Sequence, residues 1–233
     1  MLGNELLEKI KIYDWDQSRL ALTEVTEAIK NAHGNKTETA DIEKNLLSIL
    51  ESDATRAGKQ FACRQLSVIG TEQSVPVLTK MLIDEETSDM ARFALERIPA
   101  TAVDSALRDA LSKASGKPKV GIINSLGQRR DKQAVSALSK LIGDSDETTA
   151  IAAVAALGQI ADEQATRALA EAKDKTAGKL KTRVLDSYLL CADKLVAAGK
   201  KSQALSIYKE LSNKAMPESI RAAATKGMIN SMK

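Results

Sequence analysis

The chain has 233 residues, 43% apolar and 28% charged, with a formal net charge of +3. That balance belongs to a folded protein and excludes intrinsic disorder, while the lack of an uninterrupted apolar run of about 18 residues excludes a membrane-spanning helix. Aromatic residues make up only 3%, and the basic groups are interspersed with acidic ones. Both facts argue against strand-rich folds and against nucleic acid as a partner, which calls for clustered cations and stacking rings.

Residues 1–57 carry seven Lys and Arg against eleven Asp and Glu, whereas the remainder is mildly basic. The first five residues lack the basic region and apolar run of a secretory signal. A signal-trimmed fragment would read the same way, so the compartment stays open. Residues 16–32 and 40–51 have the spacing of two amphipathic helices, joined by a polar segment at 33–39 that holds the sole histidine, His33. This first hairpin is expected to be atypical, with Trp15 beside Tyr13 as its anchor.

From residue 58 onward the sequence repeats itself. Ile69-Gly70, Ile98-Pro99, Leu126-Gly127 and Leu157-Gly158 recur at intervals of 29, 28 and 31 residues, each closing an Ala-rich helical pattern. A period of that length is the mark of stacked helical hairpins, each burying its apolar stripe only against its neighbours. Gly70 is expected to stop its helix, since glycine enters the left-handed region without strain. Thr71, Thr101, Asp131 and Asp162 follow the anchors as expected N-caps, and Pro99 should reshape its turn by pushing Ile98 toward extended backbone. Second helices then run through Val75-Leu78, Val103-Leu107, Val135-Leu138 and Ala165-Leu169.

Gly178 opens a longer helix, and a closing helix is expected over residues 217–232. Cys191, Ala192, Gly199, Ala204, Tyr208 and Pro217 resemble a tetratricopeptide repeat, which implies small residues at a close helix crossing with Tyr208 packed between. In a linear stack Cys63 and Cys191 lie about four repeats apart, beyond the ~7 Å between Cα atoms that a disulfide tolerates, so both are expected as thiols. Cys63 aligns with Arg92, Val120 and Ile151 and reads as a half-buried packing residue.

Leu126-Gly127-Gln128 and Ala156-Leu157-Gly158-Gln159, each followed by Asp131 or Asp162 and an Ala/Leu helix, resemble HEAT-like repeats of the phycobilisome-lyase type over residues 58–175. The resemblance implies an all-α, right-handed α-α superhelix, a solenoid with an armadillo-like fold and about six HEAT-like hairpins. The expected organisation is one helical-repeat domain, with an atypical hairpin at 1–57, HEAT-like repeats at 58–175, and a tetratricopeptide-like hairpin and closing helix at 176–233. The stretch from Gly58 to Leu66 with Gly70 to Pro76 is similar to repeat regions of large secreted bacterial proteins, which implies a periplasmic or extracytoplasmic setting.

Chemistry-bearing clusters are sparse. A nucleophile–base pair could form only around His33, and Cys-x-x-Cys spacing and paired histidines, which zinc would need, do not occur. Asp144-x-Asp146-Glu147 suggests a calcium loop but lacks its glycine and its distal glutamate, so helix capping is the better reading. Hence no catalytic, cofactor or metal residue is expected, and the chain is not expected to be an enzyme. Its expected role is a monomeric protein-interaction or scaffolding module acting through a concave surface, with another protein as partner. Candidate partner-binding residues are Lys80, Asp109, Lys140 and Glu171, equivalent positions on successive second helices, together with the turn residues Arg129 and Arg130. Arg129-Arg130-Asp131-Lys132, and Lys173-Asp174-Lys175 with Lys179-Lys181-Arg183, could form a rim of positive charge, although most such runs are merely solvated faces. A repeat-based lyase or DNA glycosylase and a purely structural spacer are the alternatives.

Overall fold

The structure, a computed structural model, describes residues 2–232, with side chains to residue 231. Every regular element among them is helical. In chain order the α-helices are α1 (Asn4–Lys11), α2 (Leu20–Asn31), α3 (Lys36–Leu50), α4 (Arg56–Ile69), α5 (Val75–Lys80), α6 (Ser88–Leu95), α7 (Thr101–Leu111), α8 (Gly116–Gln128), α9 (Val135–Leu141), α10 (Glu147–Ile160), α11 (Glu163–Ala172), α12 (Gly178–Ala197), α13 (Lys201–Leu211) and α14 (Glu218–Met232). Single turns of 3-10 helix, Glu72–Ser74 and Lys132–Ala134, lead into α5 and α9.

The chain forms two compact units, Met1–Ile122 and Ile123–Lys233. In the first, α4 lies between α3 and α6, while α5 packs on α6 and α7. In the second, α10 packs on α12 and α9 on α11, with α13 and α14 following α12. First helices therefore meet first helices and second helices meet second ones, as stacked hairpins require. The second helices bury one leucine each at repeat spacing, Leu78, Leu107, Leu138 and Leu169, all fully inaccessible. Each such side chain contributes roughly 1.5–3 kcal/mol of transfer free energy.

The glycines act differently from the expectation. Gly70 does follow α4, but in extended backbone at φ −61° and ψ 140°. Gly127 and Gly158 lie inside α8 and α10 rather than beyond them. The left-handed positions fall later, at Arg130 (φ 55°) and Ala161 (φ 51°). What these glycines supply is room. A Cβ on Gly70 would stand 2.9 Å from Ile98 Cδ1, one on Gly127 2.7 Å from Ala156 Cα, and one on Gly158 2.9 Å from Ser187 Cβ. At Gly127 and Gly158 the next repeat's helix comes too close for a side chain, and at Gly70 it is the segment after α6 that does so.

Caps at the repeats are mostly as expected. Thr71 accepts from the Gln73 amide, Asp131 from Gln133 and Asp162 from Ala165. Thr101 does not cap; it is the first residue of α7, and Ala100 holds the cap position. Pro99 sits in an irregular segment between α6 and α7, and α6 ends at Leu95. Asp146 caps α10 through the Thr148 and Thr149 amides and takes the Thr149 hydroxyl at 2.6 Å, which holds its carboxyl below the usual range.

At the start, α1 is an additional helix that packs on α2, α3 and α4. The expected tryptophan anchor is wrong: Trp15 is 57% exposed, and Tyr13 is the buried aromatic. Thr55 ties down the chain at Lys11 and Tyr13, and the residues that follow, from Asp14 to Leu20, are exposed.

Candidate functional site

Where two hairpins join in the second unit, the turn after α9 and the turn before α12 face each other across α11. They enclose an open cleft of about 530 Å³. Ile142, Ala168, Ala172 and Leu180 supply apolar surface, while Asp144, Glu171, Lys175 and Thr176 supply polar groups. The local sequence explains the opening. Gly143 and Ala177 stand at the two turns and Ala168 and Ala172 on the intervening helix, so little bulk fills the junction. Clefts of this size, apolar with a few polar groups, suit a ligand side chain or short segment.

Of the candidate partner-binding residues, only Glu171 lines this cleft. It lies near the end of α11 and is exposed. Lys140, also exposed, follows the lining residue Ser139 on α9. In the first unit, Lys80 ends α5 and reaches Glu51 at 3.5 Å, and Asp109 is exposed on α7. Arg129 and Arg130 form the turn after α8, Arg129 half-buried and Arg130 exposed in left-handed backbone.

Lys173 contributes neither a free rim charge nor a solvated one. Its ammonium is buried and bonded to Asp174 at 2.6 Å and Glu210 at 2.9 Å. The Asp174 hydrogen bond leads in raising its pKa. Tyr188 donates to the same Glu210 at 3.0 Å, so the group ties together α12, α13 and the end of α11, with the Lys173 charge balanced by two carboxylates. Burial makes Lys173 unavailable, whereas Lys175 stays exposed at the cleft.

Groups with reactive potential lie elsewhere. His33 is exposed in the turn between α2 and α3. Cys63 is fully buried rather than half-buried, and burial, aided by the Asp89 charge, pushes its thiol up to about 12. It touches a small cleft of about 180 Å³ with Gln60, Arg64, Asp89, Met90 and Phe93. Cys191 is also fully buried and raised by burial to about 11; both cysteines are free thiols. Among the described residues, no three His, Cys, Asp or Glu side chains group to hold a metal, and no helix is long and apolar enough to cross a membrane.

Residues 104–188 match the HEAT repeats family. That segment carries HEAT repeats. The matched segment runs from α7 into α12 and contains all of the cleft's lining residues. No curated protein matches the sequence. Among solved structures the HEAT-like chain is similar to an engineered protein, at 17% identity and TM-score 0.48, covering 98% of this chain and 68% of that one. It is similar to the complex of CpcE and CpcF of phycocyanin lyase from Nostoc sp. PCC7120, at 18% identity and TM-score 0.47, covering 99% and 95%. A designed armadillo repeat protein is similar at 16% identity and TM-score 0.35, covering 98% and 99%.

Of the cleft residues, Ile142 and Leu180 carry no sequence signal, while Ala168 reads only as part of a second helix's apolar run and Lys175 only as rim charge. No motif marks them, because they come from three elements and the voids between them. The only available signal was the repeat period itself, which places small residues and turns at each hairpin junction.

Proposed function

We propose that this chain is a non-enzymatic protein-interaction module that seats an extended segment of another protein in the cleft around α11. The observation that carries the reading is the cleft itself: an open trough with an apolar base at Ile142, Ala168 and Leu180, and with Glu171 and Lys175 at its polar margin. Such a surface accepts one or two apolar side chains and orients the backbone that bears them through charges of both signs. The chemistry of the remaining groups agrees. Thiols held near 11 and 12 are neutral at physiological pH and poor nucleophiles, and the sole histidine is exposed in the turn between α2 and α3.

The test is selection of a random peptide display library on the purified protein. Enriched peptides should share an apolar residue flanked by charge, and their affinity should fall about ten-fold or more with Ala168→Glu, which fills the trough and adds a carboxylate. Failure to enrich any common pattern, or peptides indifferent to Ala168→Glu, would contradict the reading.

A further inference from the structure

We propose that the connection between α1 and α2 together with the first residue of α2, residues 12–20, is a second docking surface, for a basic amphipathic segment of a partner protein, with Trp15 as the anchor. It is independent of the cleft at α11.

The connection is ordered while its apolar side chains face water. Tyr13 is buried, its carbonyl accepts the Thr55 hydroxyl, and the Thr55 amide donates to the Lys11 carbonyl at 2.8 Å. A turn follows at once: the Gln17 amide donates to the Asp14 carbonyl at 3.1 Å, the Asp14 amide to Gln17 Oε1 at 3.2 Å, and the Trp15 amide to Asp14 Oδ1 at 2.8 Å. Beyond these ties, Ile12 is 66%, Trp15 57% and Leu20 72% exposed. Three of the seven large apolar side chains exposed among the described residues thus sit within the nine residues 12–20, the connection and the first residue of α2. A tryptophan displayed on a pinned turn loses little freedom on binding, which is the arrangement that makes an interface anchor effective.

Charge selects the occupant. Asp14 and Asp16 flank Trp15 and are exposed, with Arg19 the one cation in the segment, and residues 1–57 carry eleven acidic groups against seven basic ones. That field attracts Lys and Arg and repels an anionic bilayer surface. A second copy meeting this loop about a two-fold axis would oppose the same carboxylates to one another. A partner segment with leucines on one side and lysines on the other satisfies both the apolar and the charged groups.

Trp15 is the sole tryptophan, so its emission reads this connection and no other part of the chain. The probe is a synthetic amphipathic peptide of Leu and Lys, titrated into the full chain. The expected result is a saturable blue shift, weakened about ten-fold or more by the double substitution Asp14→Asn with Asp16→Asn and by added salt. Anisotropy of the labelled peptide should show the same loss with Trp15→Ala. The asparagine side chains keep an acceptor for the Trp15 amide, so the turn survives the charge removal. Four outcomes overturn the proposal: no shift with the Leu/Lys peptide, an equal shift with a Leu/Glu peptide, a shift only with phosphatidylserine vesicles, or a shift on concentrating the protein alone.

Discussion

A methyl group on Gly127 would stand 2.7 Å from the Cα of Ala156, one repeat further along the chain. Glycine inside a helix ordinarily costs about 0.5–1 kcal/mol relative to alanine. Here the neighbour is backbone and cannot step aside. Gly127→Ala should therefore destabilise, by about 1–3 kcal/mol, and Gly158→Ala likewise against Ser187. Gly143→Ala, with nothing nearer than Lys140's carbonyl at 3.9 Å, serves as the control and should be close to neutral. Urea unfolding of the three variants checks this; a stabilised Gly127→Ala would refute the close-approach argument.

Glu43 is buried on α3 and receives the Thr71 amide at 2.7 Å, the Thr71 hydroxyl at 3.0 Å and the Ser74 hydroxyl at 2.5 Å. It ties one hairpin to the turn of the next. Glu43→Ala strands the buried Ser74 hydroxyl, which costs about 1–3 kcal/mol when left unpaired, and leaves the donors of the exposed Thr71 to water at lower cost. Chemical denaturation should show a loss at the upper end of that range or above, with Thr71→Val costing less.

Cys63 is held in its neutral form by burial, its pKa rising from 9.0 to about 12. In the unfolded chain the thiol ionises near its ordinary value, so between about 9 and 12 the folded state keeps a proton that the unfolded state has released. The contribution is complete below pH 9 and disappears as pH rises through 12. Stability measured across that window should fall more steeply for the wild type than for Cys63→Ala. Thiol reagents at neutral pH should label neither cysteine in the native protein and both after unfolding.

Tyr13 and Trp15, two residues apart, should respond in opposite ways. Tyr13→Ala removes a buried ring and should cost about 3 kcal/mol or more. Trp15→Ala removes an exposed one and should change stability by less than about 0.5 kcal/mol. Thermal melts of both variants test the reversal.

The repeat and its second helices are legible because period and apolar spacing specify which face each helix buries. Leu78, Leu107, Leu138 and Leus like Leu169 follow directly, as do the caps at Asp131 and Asp162. Spacing does not say how near a neighbouring backbone comes, so Gly127 and Gly158 read as helix stops when they are close contacts. Nor does it separate Tyr13 from Trp15, whose fates depend on Thr55, forty residues away in the chain. Lys173 looked like surface charge because its partner Glu210 comes from a distant helix. Of the cleft, Glu171 was visible through its repeat position. Ile142 and Leu180 were not, since a trough is defined by missing bulk rather than by a residue type.

Hydrogen exchange on the protein with and without a display-selected peptide tests the central claim most directly. The account predicts slowed exchange at the cleft, in residues 139–144 and 168–180, and little change in α13 and α14. Protection confined to other segments, or none at saturating peptide, would contradict it.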